Sequence, residues 1–135
     1  MVMRTTFFIT FAILLLGGCS KTVDPSSLKT VQQQKAGDYT VAILSEEGTM
    51  KHGATTYTLE FRKTADNQLA DAGKVEVSPV MEMSGMSPMM GGADVTATDT
   101  PGRYTVKGNL TMAGLWKINV KFGTDQNVRF SLNAE

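Results

Sequence analysis

The sequence predicts an all-β domain, folded as an antiparallel β-sandwich of about seven short strands. After position 37, apolar residues alternate with polar ones, which is the period of a strand with one buried and one solvated face. Clusters of Gly, Asp, Asn and Pro interrupt this alternation at short intervals, and no segment beyond the N-terminal region has a convincing helical pattern. Short strands separated by turns bury their apolar faces by packing as two sheets.

Three strands are predicted in the first half of the domain. Alternating residues over positions 39–43 predict the first strand, and the sequence Glu46-Glu47-Gly48 predicts the turn that ends it. The second strand, over residues 55–62, alternates large apolar residues with threonines and charges, so one of its faces is dry. The third strand covers residues 74–80. Because proline cannot donate a ladder hydrogen bond, Pro79 indicates that this strand lies at a sheet edge or ends irregularly.

Four further strands are predicted in the second half. Residues 94–98 form a short strand, and the turn Thr100-Pro101-Gly102 leads into a strand over residues 104–110. Residues 116–122 have the clearest alternation in the chain, with a tryptophan first on the buried face. Residues 128–132 form the last strand.

The N-terminus has the pattern of a lipoprotein signal. A basic start precedes an apolar run over residues 7–16, and Gly17-Gly18-Cys19 follows directly. The run is too short for a membrane-spanning helix, which needs about 20 apolar residues. The pattern resembles the lipobox of bacterial lipoproteins, in which the cysteine is acylated and becomes the mature N-terminus. The alternative is a plain signal peptide with a free cysteine, but Cys19 is the only cysteine, and a lone exposed thiol is unusual in an oxidising compartment.

We therefore divide the chain into a signal peptide (1–18), a lipidated Cys19 with a flexible tether (19–37) and a β-sandwich domain (38–135). The tether prediction depends on a high content of Ser, Gln and Lys. Ser20 is typical of lipoproteins sent to the outer membrane, so we expect the periplasmic face of that membrane in a Gram-negative host. Thirteen basic and thirteen acidic side chains are scattered along the chain, which argues against a nucleic-acid partner.

A methionine-rich segment follows the third predicted strand. Five of the nine methionines lie there, at Met81, Met83, Met86, Met89 and Met90. Ser, Gly and Pro residues stand between them, so the segment is predicted to be a loop. Thioether sulfur is an uncharged, polarizable ligand that suits Cu(I) and, for the same reason, Ag(I). The segment therefore predicts a site for a soft metal ion.

The spacing predicts how these side chains converge. Met81 and Met83 are two residues apart, so an extended backbone directs both to one side and Glu82 to the other. A bend after Met83 would bring Met86 back toward them, and the last two methionines are second-choice ligands. Two alternatives remain open. Met81 and Met83 could be core residues, or the loop could be an adaptable docking surface for a partner.

Two residues outside the segment are weaker candidates for metal ligands. Met112 precedes Trp116 by four residues, and core packing of its sulfur on the indole is favoured over a ligand role. His52 is the only histidine and lies in a polar turn, where a solvated side chain is the favoured interpretation.

The sequence carries no arrangement typical of an enzyme. We find no serine or cysteine nucleophile motif, no cluster of metal-binding carboxylates and no glycine-rich phosphate loop. Glu46 and Glu47 are adjacent in a predicted turn, which does not bring them together on one substrate. We therefore expect a binding protein rather than an enzyme.

The order of these segments resembles the YtkA-like/FixH-like domain family. The resemblance rests on the methionine-rich loop, the sequence Pro101-Gly102-Arg103-Tyr104 and the segment 110–122, and covers roughly residues 38–122. It implies an immunoglobulin-like β-sandwich located outside the cytoplasm and linked to copper handling or oxidase maturation. FixH proteins carry a membrane helix, so this chain fits the YtkA-like side better. The family's ligand segment maps to the five methionines above, and its Met-x-Gly-x-Trp element maps to Met112, Gly114 and Trp116. Family members often have histidine in the loop, whereas this chain has none there.

Together, the residues and the resemblance predict a lipid-anchored cell-envelope protein that binds Cu(I) or Ag(I) for delivery, storage or resistance. The expected partners are the membrane, through the anchor, and components of heavy-metal efflux or oxidase assembly. The alternative is an interaction module that binds no metal and docks on an envelope protein or efflux adaptor through the same loop.

Overall fold

The computed structural model describes residues 25–135, so the predicted signal peptide, Cys19 and the start of the tether lie outside the described residues. Within this range, a short 3₁₀ helix (Pro25–Ser27) precedes nine strands. These are β1 (Lys29–Ala36), β2 (Tyr39–Ser45), β3 (Gly53–Lys63), β4 (Val75–Met81), β5 (Met89–Met90), β6 (Gly92–Ala97), β7 (Arg103–Leu110), β8 (Gly114–Phe122) and β9 (Gln126–Ala134). Among the described residues there is no helix with the length and apolar character needed to cross a membrane.

The strands pack as two antiparallel sheets, which confirms the predicted all-β sandwich. One sheet has the order β1-β2-β3-β7-β6 and the other has the order β5-β4-β8-β9. β1 contacts β9 along one margin of the sandwich, and β4 contacts β6 along the other. The two sheets therefore enclose a single core.

Alternating residues of both sheets fill this core. The largest fully buried side chains are Trp116, Tyr57, Phe61 and Phe130. Phe61 lies at the centre of an aromatic cluster, with ring centroids 4.9 Å from Phe122 and 5.4 Å from Tyr104. Full burial of a side chain of this kind contributes about 1.5–3 kcal/mol, so these rings are a major source of stability.

All seven predicted strands are present, together with two that the pattern did not indicate. β5 is a two-residue strand inside the methionine-rich segment. β1 replaces the last part of the predicted tether and pairs with β2 along its length, so the sheet begins at Lys29. β1 is an edge strand whose side chains are mostly exposed and polar. β1 is held by backbone hydrogen bonds, which do not require apolar side chains. Its sequence therefore shows no apolar alternation from which a strand could be predicted.

Pro79 lies in a strand that is mostly a sheet edge, as predicted from its missing backbone N–H. β4 pairs with β8 over residues 75–80, whereas on its other side only Val80 and Met81 have ladder partners, in β5. The carbonyl of Pro79 accepts a hydrogen bond from the backbone N–H of Gly91 at 2.9 Å. Most of β4 is therefore a sheet edge, as expected for a strand that contains proline.

The strand order creates two opposite ends of the sandwich. We call one the methionine end, which consists of the loops 46–52, 82–91 and 111–113 with the start of β1 and the end of β9. Met50 forms a bridge with Ala134 there, which joins the two sheets. The opposite end, which we call the polar end, consists of the turns 37–38, 64–74, 98–102 and 123–125.

Candidate functional site: the methionine end

The methionine end gathers all the methionines of the described residues. They are Met50, Met81, Met83, Met86, Met89, Met90 and Met112. Met50 comes from the loop between β2 and β3, and Met112 comes from the turn between β7 and β8. The sequence shows a local cluster of five, and the fold adds two residues that are distant in the chain.

Met81 and Met89 are directly paired in the β4–β5 ladder. Residues opposite each other in an antiparallel pair direct their side chains to the same face, with Cβ atoms about 4.5–5.5 Å apart. Met81 is buried and Met89 is half-buried, and both pack on the core. Two thioether side chains thus extend side by side from adjacent strands at the margin of the core.

Met90 lies on the other face of β5. Successive residues of a strand point to opposite faces, and Met90 pairs with Val80 rather than with Met81. Its side chain is 62% exposed. The structure therefore separates Met90 from the Met81–Met89 pair, although the sequence predicted all three as ligands of the same site.

A tight turn connects Met83 to Met86. The backbone N–H of Met86 donates to the carbonyl of Met83 at 3.3 Å, and Gly85 has a φ of 72°, which a glycine adopts without strain. Met83 is half-buried and packs on the core, whereas Met86 is 69% exposed. The predicted bend after Met83 is present, and it leaves the thioether of Met86 in solvent.

The turn over residues 111–113 adds contacts to this site. The hydroxyl of Thr111 donates a hydrogen bond to the sulfur of Met89 at 2.8 Å. The indole N–H of the buried Trp116 donates to the main-chain carbonyl of Met112 at 2.9 Å, while the Met112 side chain is 45% exposed. The favoured prediction of Met112 as a core residue is therefore wrong, because its side chain is exposed while its main-chain carbonyl accepts the hydrogen bond of the indole.

His52 is exposed at the start of β3, as its polar turn predicts. Its ring Nδ1 lies 2.6 Å from the carbonyl oxygen of Glu135, and its backbone N–H donates to the same oxygen at 2.9 Å. The histidine is thus tied to the end of β9 through one carbonyl.

One ion pair borders the methionine-rich segment. The ammonium of Lys117 lies 2.6 Å from a carboxylate oxygen of Glu82. The hydrogen bond from Lys117 and its positive charge hold the pKa of the Glu82 carboxyl below its usual value. Met81 and Met83 both pack on the core while Glu82 is exposed, which agrees with the predicted alternation.

The donor chemistry of the site is that of thioethers. In the part of the chain that the structure describes, no group of three His, Cys, Asp or Glu side chains is placed to hold a metal ion. Met81, Met83 and Met89 share the core side of the segment, and Met86 follows Met83 through the tight turn. Uncharged sulfur donors of this kind suit Cu(I) and Ag(I), so the residues present fit a soft monovalent ion.

Sequence reasoning missed two features of this end. Leu115 is 58% exposed because it lies on the outer face of β8, next to the buried Trp116. Thr111 carries no signal that predicts its bond to Met89. Leu115 could have been found, since the alternation that buries Trp116 places its neighbour outside.

The fold and this end define the class of protein as an all-β sandwich with a thioether-rich end. A family model described as YtkA-like matches residues 33–121, which is more than half of the chain. The chain therefore belongs to the YtkA-like family. Comparison with curated proteins gives no match.

Proposed function

We propose that this chain is a lipid-anchored protein of the cell envelope that binds Cu(I) or Ag(I) at its methionine end, for metal delivery, storage or resistance. The observation that carries the proposal is the paired position of Met81 and Met89, with Met83 on the same side of the segment. Membership of the YtkA-like family supports the same reading. The proposal includes acylation at Cys19, no enzymatic activity, and partners from heavy-metal efflux or oxidase assembly.

The methionine ligands would have two different roles in metal binding. Met81, Met83 and Met89 have limited freedom because they pack on the core, so they supply a preformed side of the site. Met86 is exposed at the end of a tight turn, where rotation of its side chain is not restricted by packing. Bound metal is cargo in this proposal, and an exposed ligand that can exchange would allow its transfer to a partner.

The chemistry of thioether ligands would also make such a site selective among metal ions. Zinc prefers thiolate and imidazole, and magnesium or calcium prefers oxygen. A thioether carries no negative charge to balance a divalent ion, so a soft ion with a single charge is favoured. Because the sulfur has no proton to lose, metal affinity should change little with pH in the neutral range.

An anaerobic Cu(I) titration against a chromophoric chelator tests the proposal. The protein is the segment from Ser20 to Glu135, which retains every residue of the two-sheet core. We expect one equivalent to be bound by the native sequence and lost when Met81, Met83 and Met86 are changed to Leu. Met50→Leu is the matched control, because Met50 is buried in another loop of the same end. Failure of the native protein to compete with the chelator would overturn metal binding.

A second candidate function is an interaction module that binds no metal and docks on an envelope protein or efflux adaptor. The exposure of Met86 and Met90 favours it, since Met-rich surfaces adapt to partners. The two candidates respond differently to Met→Leu exchange. A near-isosteric apolar change preserves a docking surface but removes a ligand sulfur.

A further inference from the structure

The exposed large apolar side chains of the described residues are confined to one end of the sandwich. They are Met86 (69% exposed), Met90 (62%), Leu115 (58%) and Met112 (45%). They come from the methionine-rich segment, the turn 111–113 and the start of β8. Single exposed apolar residues are normal on a protein surface, but a group at one place marks an interaction site.

The polar end has the opposite character. A shallow cavity there is lined mainly by charged and amide side chains, among them Lys74, Glu76, Asp125 and Gln126. Phe122 and Tyr104 at that end are buried, and none of the exposed large apolar side chains of the described residues lies there. The sandwich therefore has an apolar end and a polar end.

The rest of the chain joins the domain at the apolar end. β1 starts at Lys29, and its first residue pairs with Ser45 at the end of β2. A Cβ atom at Gly48, in the loop that follows β2, would lie 3.3 Å from the Cβ of Lys29. The chain preceding position 25 includes the apolar run 7–16 and Cys19, so its membrane-directed features are attached at the methionine end.

We infer that the methionine end lies against the lipid bilayer, with Met86, Met90, Met112 and Leu115 in contact with the membrane interface. The inference rests on the membrane-anchor part of the proposed function and does not depend on metal binding. A membrane anchor that leaves the domain at this end holds this end close to the bilayer. The strands at its two margins, β1 and β6, are four strand spacings apart, roughly 19 Å, so the β6 margin of the end face lies within that distance of the point where the anchored chain enters the domain.

The polar groups at this end are compatible with a membrane surface. Lys117 forms its ion pair with Glu82, and Lys51 lies 3.2 Å from Glu47 and 3.9 Å from Glu135, so these charges are compensated in part. Lysine stems can lie along apolar surface while the ammonium stays at headgroup level. The exposed thioethers and Leu115 would enter the interface between such pairs.

This orientation adds a property to the metal site. The thioethers of the methionine-rich segment would face the bilayer surface. Transfer of a soft ion would then take place at the membrane, without release into bulk solvent.

Fluorescence quenching in vesicles tests the inference. The full chain is purified from membranes with its own N-terminus and reconstituted into phosphatidylcholine–phosphatidylglycerol vesicles that contain lipids with nitroxide headgroups. Single cysteines for a fluorescent label are introduced as Ser87→Cys at the methionine end or Thr124→Cys at the polar end, both exposed positions. We expect the label at position 87 to be quenched and the label at position 124 not to be quenched.

A variant with Met86, Met90, Met112 and Leu115 changed to Ser separates docking from simple tethering. All four side chains are exposed, so the core is unchanged, and circular dichroism checks the fold. We expect loss of quenching at position 87 in this variant. Retained quenching there, equal quenching at both positions, or no association with vesicles would each overturn the inference.

Two further measurements distinguish failure of the membrane orientation from failure of the proposed function. The intact mass of the purified chain reports whether Cys19 is acylated and therefore cannot take the label. A missing acyl group would refute that anchor, and the orientation is then read in a Cys19→Ser background, in which the label stays at one position. The variant with Met81, Met83 and Met86 changed to Leu should keep quenching at position 87, because leucine remains apolar. A label at position 87 that is not quenched in vesicles would leave the surface to a protein partner and overturn the bilayer as its occupant.

Discussion

Tyr104 and Asp71 connect two parts of the polar end through one hydroxyl group. The phenolic oxygen of Tyr104, at the start of β7, lies 2.8 Å from Oδ1 of Asp71 and 3.0 Å from the carbonyl oxygen of Gly73, both in the loop between β3 and β4. The same Asp71 oxygen accepts the backbone N–H of Gly73 at 2.8 Å. The Tyr104 ring is buried against Phe61, so the hydroxyl fixes a long exposed loop to the core.

Removal of this hydroxyl should destabilise the domain. Tyr104→Phe keeps the ring in the core but loses the bond to Asp71, and a hydrogen bond of this kind contributes about 1–2 kcal/mol to the free energy of unfolding. Urea unfolding followed by Trp116 fluorescence measures the change. Tyr39→Phe is the control, because the Tyr39 hydroxyl lies 3.4 Å from its acceptor, the carbonyl of Asp71, and should matter less. Equal stability of Tyr104→Phe and the native protein would show that the loop is not held by this bond.

Acid stability should depend on Asp71. The hydrogen bonds from the Gly73 backbone and then from Tyr104 lower the pKa of the Asp71 carboxyl in the folded state. A lowered folded pKa gives stability that is present above the unfolded value and is lost as the pH falls through the folded value. The native protein should therefore lose more stability than Asp71→Asn on acidification below about pH 4. Unfolding midpoints in urea at several pH values measure this, and parallel curves for the two proteins would contradict it.

At alkaline pH, stability should be lost as the pH rises, and the group responsible is the Tyr104 hydroxyl. Burial, followed by the bond to Asp71, raises the pKa of the Tyr104 hydroxyl to about 12. A raised folded pKa gives stability that is complete below the usual value near 10 and is lost as the pH rises above it. The native protein should lose its advantage over Tyr104→Phe in this range. Unfolding curves between neutral pH and pH 11 test this, and a constant difference between the two proteins would refute it.

The sequence predicts the sheets well because burial on one face leaves a period of two. Residues 55–62 and 116–122 carry this period, and both are central strands of the structure. β1 is an edge strand with polar side chains, and β5 has two residues, so neither has enough buried face to leave a pattern. The number of strands was therefore underestimated at the sheet margins.

The candidate site was partly predictable for a related reason. Composition alone locates the methionine-rich segment, and the alternation around Glu82 is readable from spacing. The pairing of Met81 with Met89, and the separation of Met90 from both, depend on a two-residue strand that only the folded chain reveals. The placement of Met50 and Met112 at the same end depends on topology, which couples positions that are distant in sequence.

Gly114→Ala should perturb Met81 directly. Gly114 has a φ of 133°, a conformation that L side chains rarely adopt, and a Cβ atom there would lie 3.0 Å from the terminal methyl of Met81. We expect a loss of about 1–2 kcal/mol in the free energy of unfolding from the backbone strain, and weaker Cu(I) binding because Met81 must move. Gly73→Ala is a matched control, since Gly73 also has positive φ but nothing lies within 4 Å of its Cβ position. A Gly114→Ala protein with the Cu(I) affinity of Gly73→Ala would argue against Met81 as a ligand.

The Glu60 carboxylate, on the outer face of the larger sheet, should contribute to the stability of the fold. This buried carboxylate lies 2.6 Å from Nε of Arg62 and 2.9 Å from Nε of Arg103, so it joins β3 to β7. Glu60→Leu removes the carboxylate from two half-buried guanidinium groups, of which Arg62 keeps its bond to the Asn67 carbonyl, so we expect a loss of about 3 kcal/mol, the lower end of the range for a buried pair. Glu76→Leu is the control, because the Glu76–Lys74 pair is exposed and should matter little. Thermal unfolding measures both variants, and a small effect of Glu60→Leu would show that the two arginines find other partners.

The two methionines of β5 should differ as metal ligands. Met89 shares a face with Met81 and accepts the Thr111 hydroxyl bond, whereas Met90 lies on the opposite face beside Val80. We expect Met89→Leu to weaken Cu(I) binding by at least tenfold, a loss of about 1.4 kcal/mol, and Met90→Leu to leave it within twofold. Competition titrations with a chromophoric chelator measure both affinities under the same anaerobic conditions. If Met90→Leu lost affinity and Met89→Leu did not, the ion would lie on the outer face of the sheet, and the site would have to be rebuilt around Met86 and Met90.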